Sequence, residues 1–429
     1  MRKIKITENP YLLFSPFLIV LLILVFLFRT NGTYGDEGKY ISFATNILHG
    51  YFSPPAPGID LANGPGYPIL LVPFIAMRLP LVCITIMNAV FYYFSIILLY
   101  KILQQFVSKQ VTLIFSFFWA CYINSCEYIF IIYSEVFTIF LILIIVFYLV
   151  RAFNSELVSG NKKYLFLSGF FIGYLALTKP IFGYVLLFLL VGCGLLWIID
   201  RKIANYRKAV ITLLIALATA TPYLVYTYNL TGKIFYWSTL GGNNLYWMST
   251  PYEKEYGSWY EFHNFEIDSA WKANLVPGGE ESFKSDHRKD FEEIFKYVGV
   301  AQDDAYKKIA INNIKSHPFK FVQNCISNLG RMVFNFPYSY KVQTPKTLLR
   351  LPFNGIIAVL MLFCLIPTFL NWRKIPFSIQ FMLFMVFLYF GGSTLGSAET
   401  RMFSVIVPML LIWIAFIIDK SVIIRLKFD

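Results

Sequence analysis

Residues 11–44 read YLLFSPFLIVLLILVFLFRTNGTYGDEGKYISFA. The first part, Tyr11–Phe28, carries no charge and approaches the roughly 20 apolar residues a helix needs to cross the hydrocarbon of a bilayer. Directly after it the chain turns polar and sets out two adjacent carboxylates, Asp36 and Glu37. What they do depends on which side of a membrane they face and on what gathers beside them.

Composition answers part of this. Of 429 residues, 57% are hydrophobic and 14% charged, whereas soluble domains run near half apolar and about a quarter charged. The chain therefore reads as a polytopic membrane protein. Its formal charge of +13 does not call for nucleic acid, because basic residues in such chains mark cytoplasmic loops. The six cysteines show neither disulfide nor zinc spacing. His49, His263, His287 and His317 are scattered without ligand spacing. The basic N-terminus precedes an apolar run with no small-residue cleavage site, which reads as a retained first span.

Ten stretches qualify as spans: 11–28, 81–103, 110–125, 128–150, 164–178, 180–199, 208–228, 352–370, 376–395 and 402–419. The segment GYPILLVPFIAMRLP at 66–80 is too short and proline-rich to cross, and reads as interfacial or re-entrant. With the N-terminus inside, seventeen lysines and arginines fall in inside loops and five in short outside loops. That imbalance assigns the sides. Both termini are expected in the cytoplasm and Asp36 and Glu37 outside, in a plasma (inner) membrane. Residues 229–351 hold 13 of the 24 acidic residues and read as a solvated extracytoplasmic segment between two membrane parts, 1–228 and 352–429. The first outer loop covers 29–80.

Local patterns fill in the outer face. Residues 37–49 predict a helix lying on the membrane, ended by Gly50. The run YWSTLGGNNLYW at 236–247 reads as loop or short strand. Helices are predicted over 286–298 and 303–316, the latter N-capped by Asp303 and ended at His317-Pro318. An amphipathic stretch follows at 319–335. No internal repeat and no nucleotide-binding motif is present. Asn31-Gly32-Thr33 and Asn229-Leu230-Thr231 fit the glycosylation triplet.

An outer-face enzyme has no supply of nucleotide-activated substrate, so an activated donor must arrive within the membrane, for instance as a polyprenyl-phosphate conjugate. Transfer from it needs a carboxylate base for the acceptor hydroxyl, cations for the departing phosphate and an apolar groove for the lipid. Asp36 and Glu37 are the base candidates. Asp36 is equally placed to N-cap the 37–49 helix, with Glu37 favouring its dipole. Glu135, in YSEVF, sits at the start of the fourth span, costly if buried. Lys179, in LTKP, is the cation of a tight outer turn, and Arg401, in SAETRMF, follows Glu399 by two residues. Both are phosphate-ligand candidates, against headgroup snorkelling for Lys179 and neutralisation by Glu399 for Arg401. Arg78 and Lys39 are weaker ones. No dedicated metal site is expected, and a loosely held divalent ion on Asp36 or Glu37 and the phosphate stays open.

These residues resemble a family. GDEGKYISFATNILHGYFSPP at 35–55, followed by NGPGYPILLVPF at 63–74, looks like the first outer loop of polytopic GT-C-class glycosyltransferases, the relatives of protein O-mannosyltransferases and aminoarabinose transferases. Asp36, Glu37, Tyr40, Ala44, Gly50 and Gly64-Pro65-Gly66-Tyr67-Pro68 carry the likeness. YSEVF, GYLALTKP, TGKIFYWSTLGGNNLYW, IKSHPFKF and ETRMFSVIVPML follow in the family's order. Asn63 stands where some relatives have a basic residue, Met402 replaces a tyrosine, and YWMSTPYEKEYG follows the family pattern only loosely.

The resemblance implies an all-α membrane bundle of the GT-C type with outer juxtamembrane helices. It also implies inverting transfer of a sugar from a polyprenyl-phosphate donor to a hydroxyl on a glycan, lipid or protein. It makes Asp36 the base, Glu37 its orienting partner or metal ligand, and Lys179 and Arg401 the phosphate ligands. Glu135, Tyr40, Tyr67, Asn243 and Glu399 become substrate-contacting or structural. Two rival readings use the same composition. A transporter or lipid-linked sugar flippase predicts mid-membrane charges and inverted repeats, and a polysaccharide ligase or polymerase shares the donor but not the acidic loop.

Overall fold

Runs of Leu, Ile, Phe and Val form helices where no water is at hand, because a helix bonds its backbone groups internally. The computed structural model describes residues 9–30, 32–153, 161–200, 204–260, 262–263, 266–267, 275–342 and 346–421. Helices in the N-terminal part are α1 (Ser15–Phe28), α2 (Glu37–Leu48), α3 (Gly66–Ala76), α4 (Val82–Leu103), α5 (Lys109–Ala120), α6 (Glu135–Phe153), α7 (Asn161–Thr178), α8 (Ile181–Ile199) and α9 (Ala204–Thr231). The outer segment holds α10 (Gly241–Met248), a two-residue antiparallel pair β1 (Phe262–His263) and β2 (Glu266–Ile267), α11 (Gly279–Ile294), α12 (Gly299–Ser316) and α13 (Pro318–Phe334). The chain closes with α14 (Lys346–Leu370), α15 (Phe377–Leu395) and α16 (Thr400–Ser421).

Seven of these, among the described residues, are long and apolar enough to cross a membrane: α4, α6, α8, α9, α14, α15 and α16. The protein is a multi-pass helical bundle. Ten spans were expected. The differences are at α1, of 14 residues, α5, of 12, and α7, whose first turn is Asn-Lys-Lys. The stretch expected at 110–125 stops at Ala120, and that expected from 128 begins only at Glu135. The residues between are apolar but not one helix. Other elements take their backbone groups: Asn88 Nδ2 donates to the Ile131 carbonyl at 2.9 Å, and the Ile132 N–H donates to Glu37 Oε1 at 2.6 Å. Tertiary partners here replace the helical ladder.

The bundle has a centre and a rim. The apolar window of α16 is 83% buried and that of α6 72%, against 22% for α14. So α16 and α6 form the core against α4, α5, α15 and α14. A second, aromatic core lies in the outer segment, with Tyr246, Trp247, Tyr260, Phe283, Phe291 and Tyr306 packed together.

Helix α13 joins the two. Its polar residues Asn324, Asn328 and Arg331 are buried, while Phe319 is 85% exposed and Ile326 66%. The polar face is spent on backbone carbonyls. Arg331 donates to Ala398, Tyr256, Gly257 and Pro337, and Asn328 to Ser393, Thr394 and Gly396. The pair thereby clamps the chain that enters α16.

Two expectations for the outer segment need correcting. Residues 241–248 are helix rather than loop or strand. Asp303 does not cap its own helix, which begins at Gly299. Its Oδ1 instead accepts from Gly242 N–H at 2.7 Å and Asn243 N–H at 3.3 Å, at the start of α10.

Candidate active site

The carboxylate pair parts company within one turn. Gly35 adopts φ +52°, and a Cβ there would lie 2.2 Å from the Tyr133 hydroxyl, so the approach to α2 requires glycine. The Asp36 N–H then donates to that hydroxyl at 3.3 Å. Asp36 occupies the N-cap position of α2 but makes no side-chain capping bond. Its Oδ2 lies 2.6 Å from Arg401 Nη1 at the start of α16. Glu37 turns the other way, fully buried. It pairs with Arg29 and accepts from the Tyr34 N–H at 2.8 Å and the Ile132 N–H at 2.6 Å.

Lys179 is set by close backbone packing. A Cβ on Gly64 would sit 2.0 Å from the Leu177 carbonyl oxygen, and one on Gly66 2.5 Å from Thr178 Oγ1. The Gly-Pro-Gly run is thus what lets the first outer loop lie against the α7–α8 turn. Lys179 Nζ meets Glu135 Oε1 at 2.9 Å. Glu135 is the first residue of α6, where the helix dipole favours a carboxylate, and it is buried. Arg401 Nε lies 3.9 Å from the same Glu135 oxygen and 3.6 Å from Glu399 Oε2. The Arg401 guanidinium rides 5.3 Å over the Tyr133 ring. Neither Arg401 Nε nor Glu135 Oε2 has a hydrogen bond among the described residues.

These groups share a cavity of about 300 Å³ at one end of the bundle. Asp36, Lys39, Lys179, Glu399 and Arg401 line its charged side. Asn63, Ser238, Asn244, Trp259 and Ser397 supply neutral polar and aromatic surface. Burial works to raise the Asp36 pKa, but Arg401, with Lys39 and Lys179, outweighs it and holds the carboxyl below its ordinary value. Burial and the Asp36 carboxylate push the Tyr133 hydroxyl up to about 12, so it stays neutral while it accepts from the Asp36 N–H.

No family model and no curated protein matches the chain. Solved structures do. The oligosaccharyltransferase of Archaeoglobus fulgidus, in complex with Zn and sulfate, is similar with TM-score 0.51 at 13% identity, over 96% of this chain and 48% of its own. AglB from the same organism, in complex with an inhibitory peptide and a dolichol-phosphate, gives 0.50 at 12% identity, over 97% and 53%. ArnT from Cupriavidus metallidurans, bound to undecaprenyl phosphate, gives 0.42 at 10%, over 95% and 77%. The fold is of the GT-C glycosyltransferase type. The chain spans about half the length of the archaeal oligosaccharyltransferases it matches.

Within this GT-C bundle, Asp36, Lys39, Lys179, Glu399 and Arg401 line one cavity, with Tyr40 beside them and Glu135 just beneath. The Tyr40 hydroxyl is 3.0 Å from Ser134 Oγ. Other predicted residues lie elsewhere. Arg78 is exposed and outside the cavity. Tyr67 is buried behind Tyr40, their rings 5.0 Å apart. Asn243 accepts from Trp259 Nε1 at 3.2 Å, and its neighbour Asn244 lines the cavity instead. Glu37 is a brace, with its oxygens already engaged. A divalent ion shared by Asp36 and Glu37 does not fit these residues, since the two carboxylates diverge to different partners. Among the described residues, no group of three His, Cys, Asp or Glu is placed to hold an ion.

Sequence reading missed Tyr133, Trp259, Ser238 and Ser397. Tyr133, two residues before Glu135 in YSEVF, had a local signal. Ser397, two residues before Glu399 in SAETRMF, had one too, whereas Ser238 and Trp259 reach the cavity only through the fold of the outer segment.

Proposed function

We propose that the chain is an inverting glycosyltransferase that moves a sugar from a polyprenyl-phosphate donor to a hydroxyl of a glycan, lipid or protein. The reaction takes place on the extracytoplasmic side of a plasma membrane. One observation carries this: a carboxylate and two cations from three distant parts of the chain meet in one cavity at a single end of an apolar bundle. The AglB structure that shares the fold holds a dolichol-phosphate, which supports a lipid phosphate as the leaving group.

The chemistry is a single displacement. Asp36 takes the acceptor O–H proton as the oxygen bonds to the anomeric carbon. The bond from that carbon to the phosphate oxygen breaks, and its electron pair leaves with the polyprenyl phosphate. Arg401 and Lys179 stabilise the charge that develops there, in a site partly screened from water. Glu135 holds Lys179 in place, and Tyr133 holds the Asp36 backbone. The neutral wall with Trp259 and Asn244 faces the sugar, which an indole ring suits.

The test is transfer of a radiolabelled sugar from its polyprenyl phosphate to membrane extract by the protein in nanodiscs. Asp36→Asn is expected to lower kcat by roughly 10²–10⁴-fold with the protein folded. Retention of near wild-type transfer by a folded Asp36→Asn protein removes Asp36 as the base. Movement of intact lipid-linked sugar across the membrane without bond cleavage favours a flippase.

A further inference from the structure

Both half-buried cations of the cavity are already partnered by carboxylates of the chain itself. Arg401 faces Asp36 at 2.6 Å and Lys179 faces Glu135 at 2.9 Å, with Glu399 3.6 Å from the guanidinium. A lipid phosphate entering between them meets neutralised cations, and it must displace a carboxylate to gain one. The two pairs differ in how readily they yield. Glu135 is 1% exposed, so stripping Lys179 from it would leave a buried bare charge. Asp36 is 28% exposed on its side chain and can return to water.

The Arg401–Asp36 pair is also incomplete. One nitrogen donates to one oxygen, while Arg401 Nε is buried without a hydrogen bond among the described residues. A guanidinium is a fork suited to two parallel bonds, and the two unesterified oxygens of a donor phosphodiester can take both, where Asp36 takes one. Lys39 lines the same cavity and forms no ion pair among the described residues. It stands one helical turn from Asp36 on α2, and is the cation an arriving phosphate meets unpaired.

We infer that the donor phosphate and Asp36 compete for Arg401, so that donor binding itself releases the base. On this view the phosphate docks at Lys39, takes the Arg401 fork, and leaves Asp36 free to turn to the acceptor hydroxyl. Held by Arg401, Asp36 is a weak base, in line with its lowered pKa. Proton abstraction is thereby coupled to an occupied donor site. The inference rests on the glycosyltransferase reading above.

The prediction is that removing the Asp36 carboxylate strengthens binding of a polyprenyl phosphate headgroup, probed with undecaprenyl phosphate, the leaving group of the proposed transfer. Undecaprenyl phosphate and undecaprenol are titrated against the full-length protein in nanodiscs, in EDTA. Wild type should bind the phosphate in preference to the alcohol. Asp36→Asn, or Asp36→Ser should the amide not fold, should bind the phosphate roughly tenfold tighter, with undecaprenol binding unchanged. Lys39→Gln should weaken phosphate binding several-fold. Glu399→Gln removes an equal charge without touching the Asp36 contact and should change affinity by less than about threefold. Equal or weaker phosphate binding by the Asp36 variants overturns the exchange. So does tightening by Glu399→Gln as large as theirs, which assigns the effect to net charge. A wild type that does not distinguish phosphate from alcohol overturns the donor reading itself.

Discussion

At the scale of single residues, the deciding feature is how buried charges are partnered. Asp36 and Glu37 are neighbours with opposite fates, one lining a cavity and one sealed beneath it. Asp303 shows the cost of sealing. Burial pushes its pKa up to about 6 from an ordinary 3.8, although two N–H donors of α10 and Lys233 pull the other way. A carboxyl with a raised folded pKa adds stability that is complete below the unfolded value and lost as pH rises through about 6. The thermal midpoint of the outer segment should therefore fall between about pH 4 and pH 6 by an amount worth roughly 2 kcal/mol. Asp303→Asn keeps an oxygen for the Gly242 and Asn243 N–H groups and should flatten that slope. Fluorescence-detected melting across the pH range reads both, and an unchanged slope in the variant refutes the assignment.

At the scale of elements, Glu37 ties α1 to α2 and to the irregular turn before α6, through Arg29 and the Ile132 N–H. Glu37→Gln should cost about 3 kcal/mol, since it strands a buried guanidinium. The fraction that folds should keep kcat within several-fold of wild type. A thousand-fold loss of kcat in folded protein would restore Glu37 to the catalytic machinery. The same tie explains which elements could be read in advance. Helix α2 was legible because Gly50 and the 37–48 periodicity are local signals, and the α7–α8 turn because Lys179-Pro180 interrupts an apolar run. The turn at 121–134 was not legible. Hydropathy cannot show that Asn88 and Glu37, 40 to 100 residues away, satisfy its backbone. For α10 the helix depends on Asp303, which caps it from 60 residues downstream. The charged half of the cavity could be assembled from sequence because lone charges at span ends are conspicuous in an apolar chain. Its neutral half could not, because Asn244 and Trp259 resemble any other outer-segment residue until the aromatic core sets their direction.

At the scale of the whole molecule, the charged groups of the cavity sit at one height. Glu135 and Arg401 open α6 and α16, Lys179 lies in the turn between α7 and α8, and Asp36 follows α1 at that level. Helix α13 is fastened to the chain entering α16 by Asn328 and Arg331, and it turns Phe319, Val322 and Ile326 outward. Such a greasy flank is expected to work as a waterline. On the reading proposed above, it sets how far the protein floats above the acyl chains, and so the depth at which Lys179 and Arg401 stand relative to the lipid headgroups. Turnover should accordingly peak at one bilayer thickness and drop several-fold in nanodiscs of shorter or longer phosphatidylcholines. Replacing Phe319 and Ile326 with serine should broaden that peak without altering the fold. A rate indifferent to acyl length would mean that the lipid, and not the protein, does the adjusting.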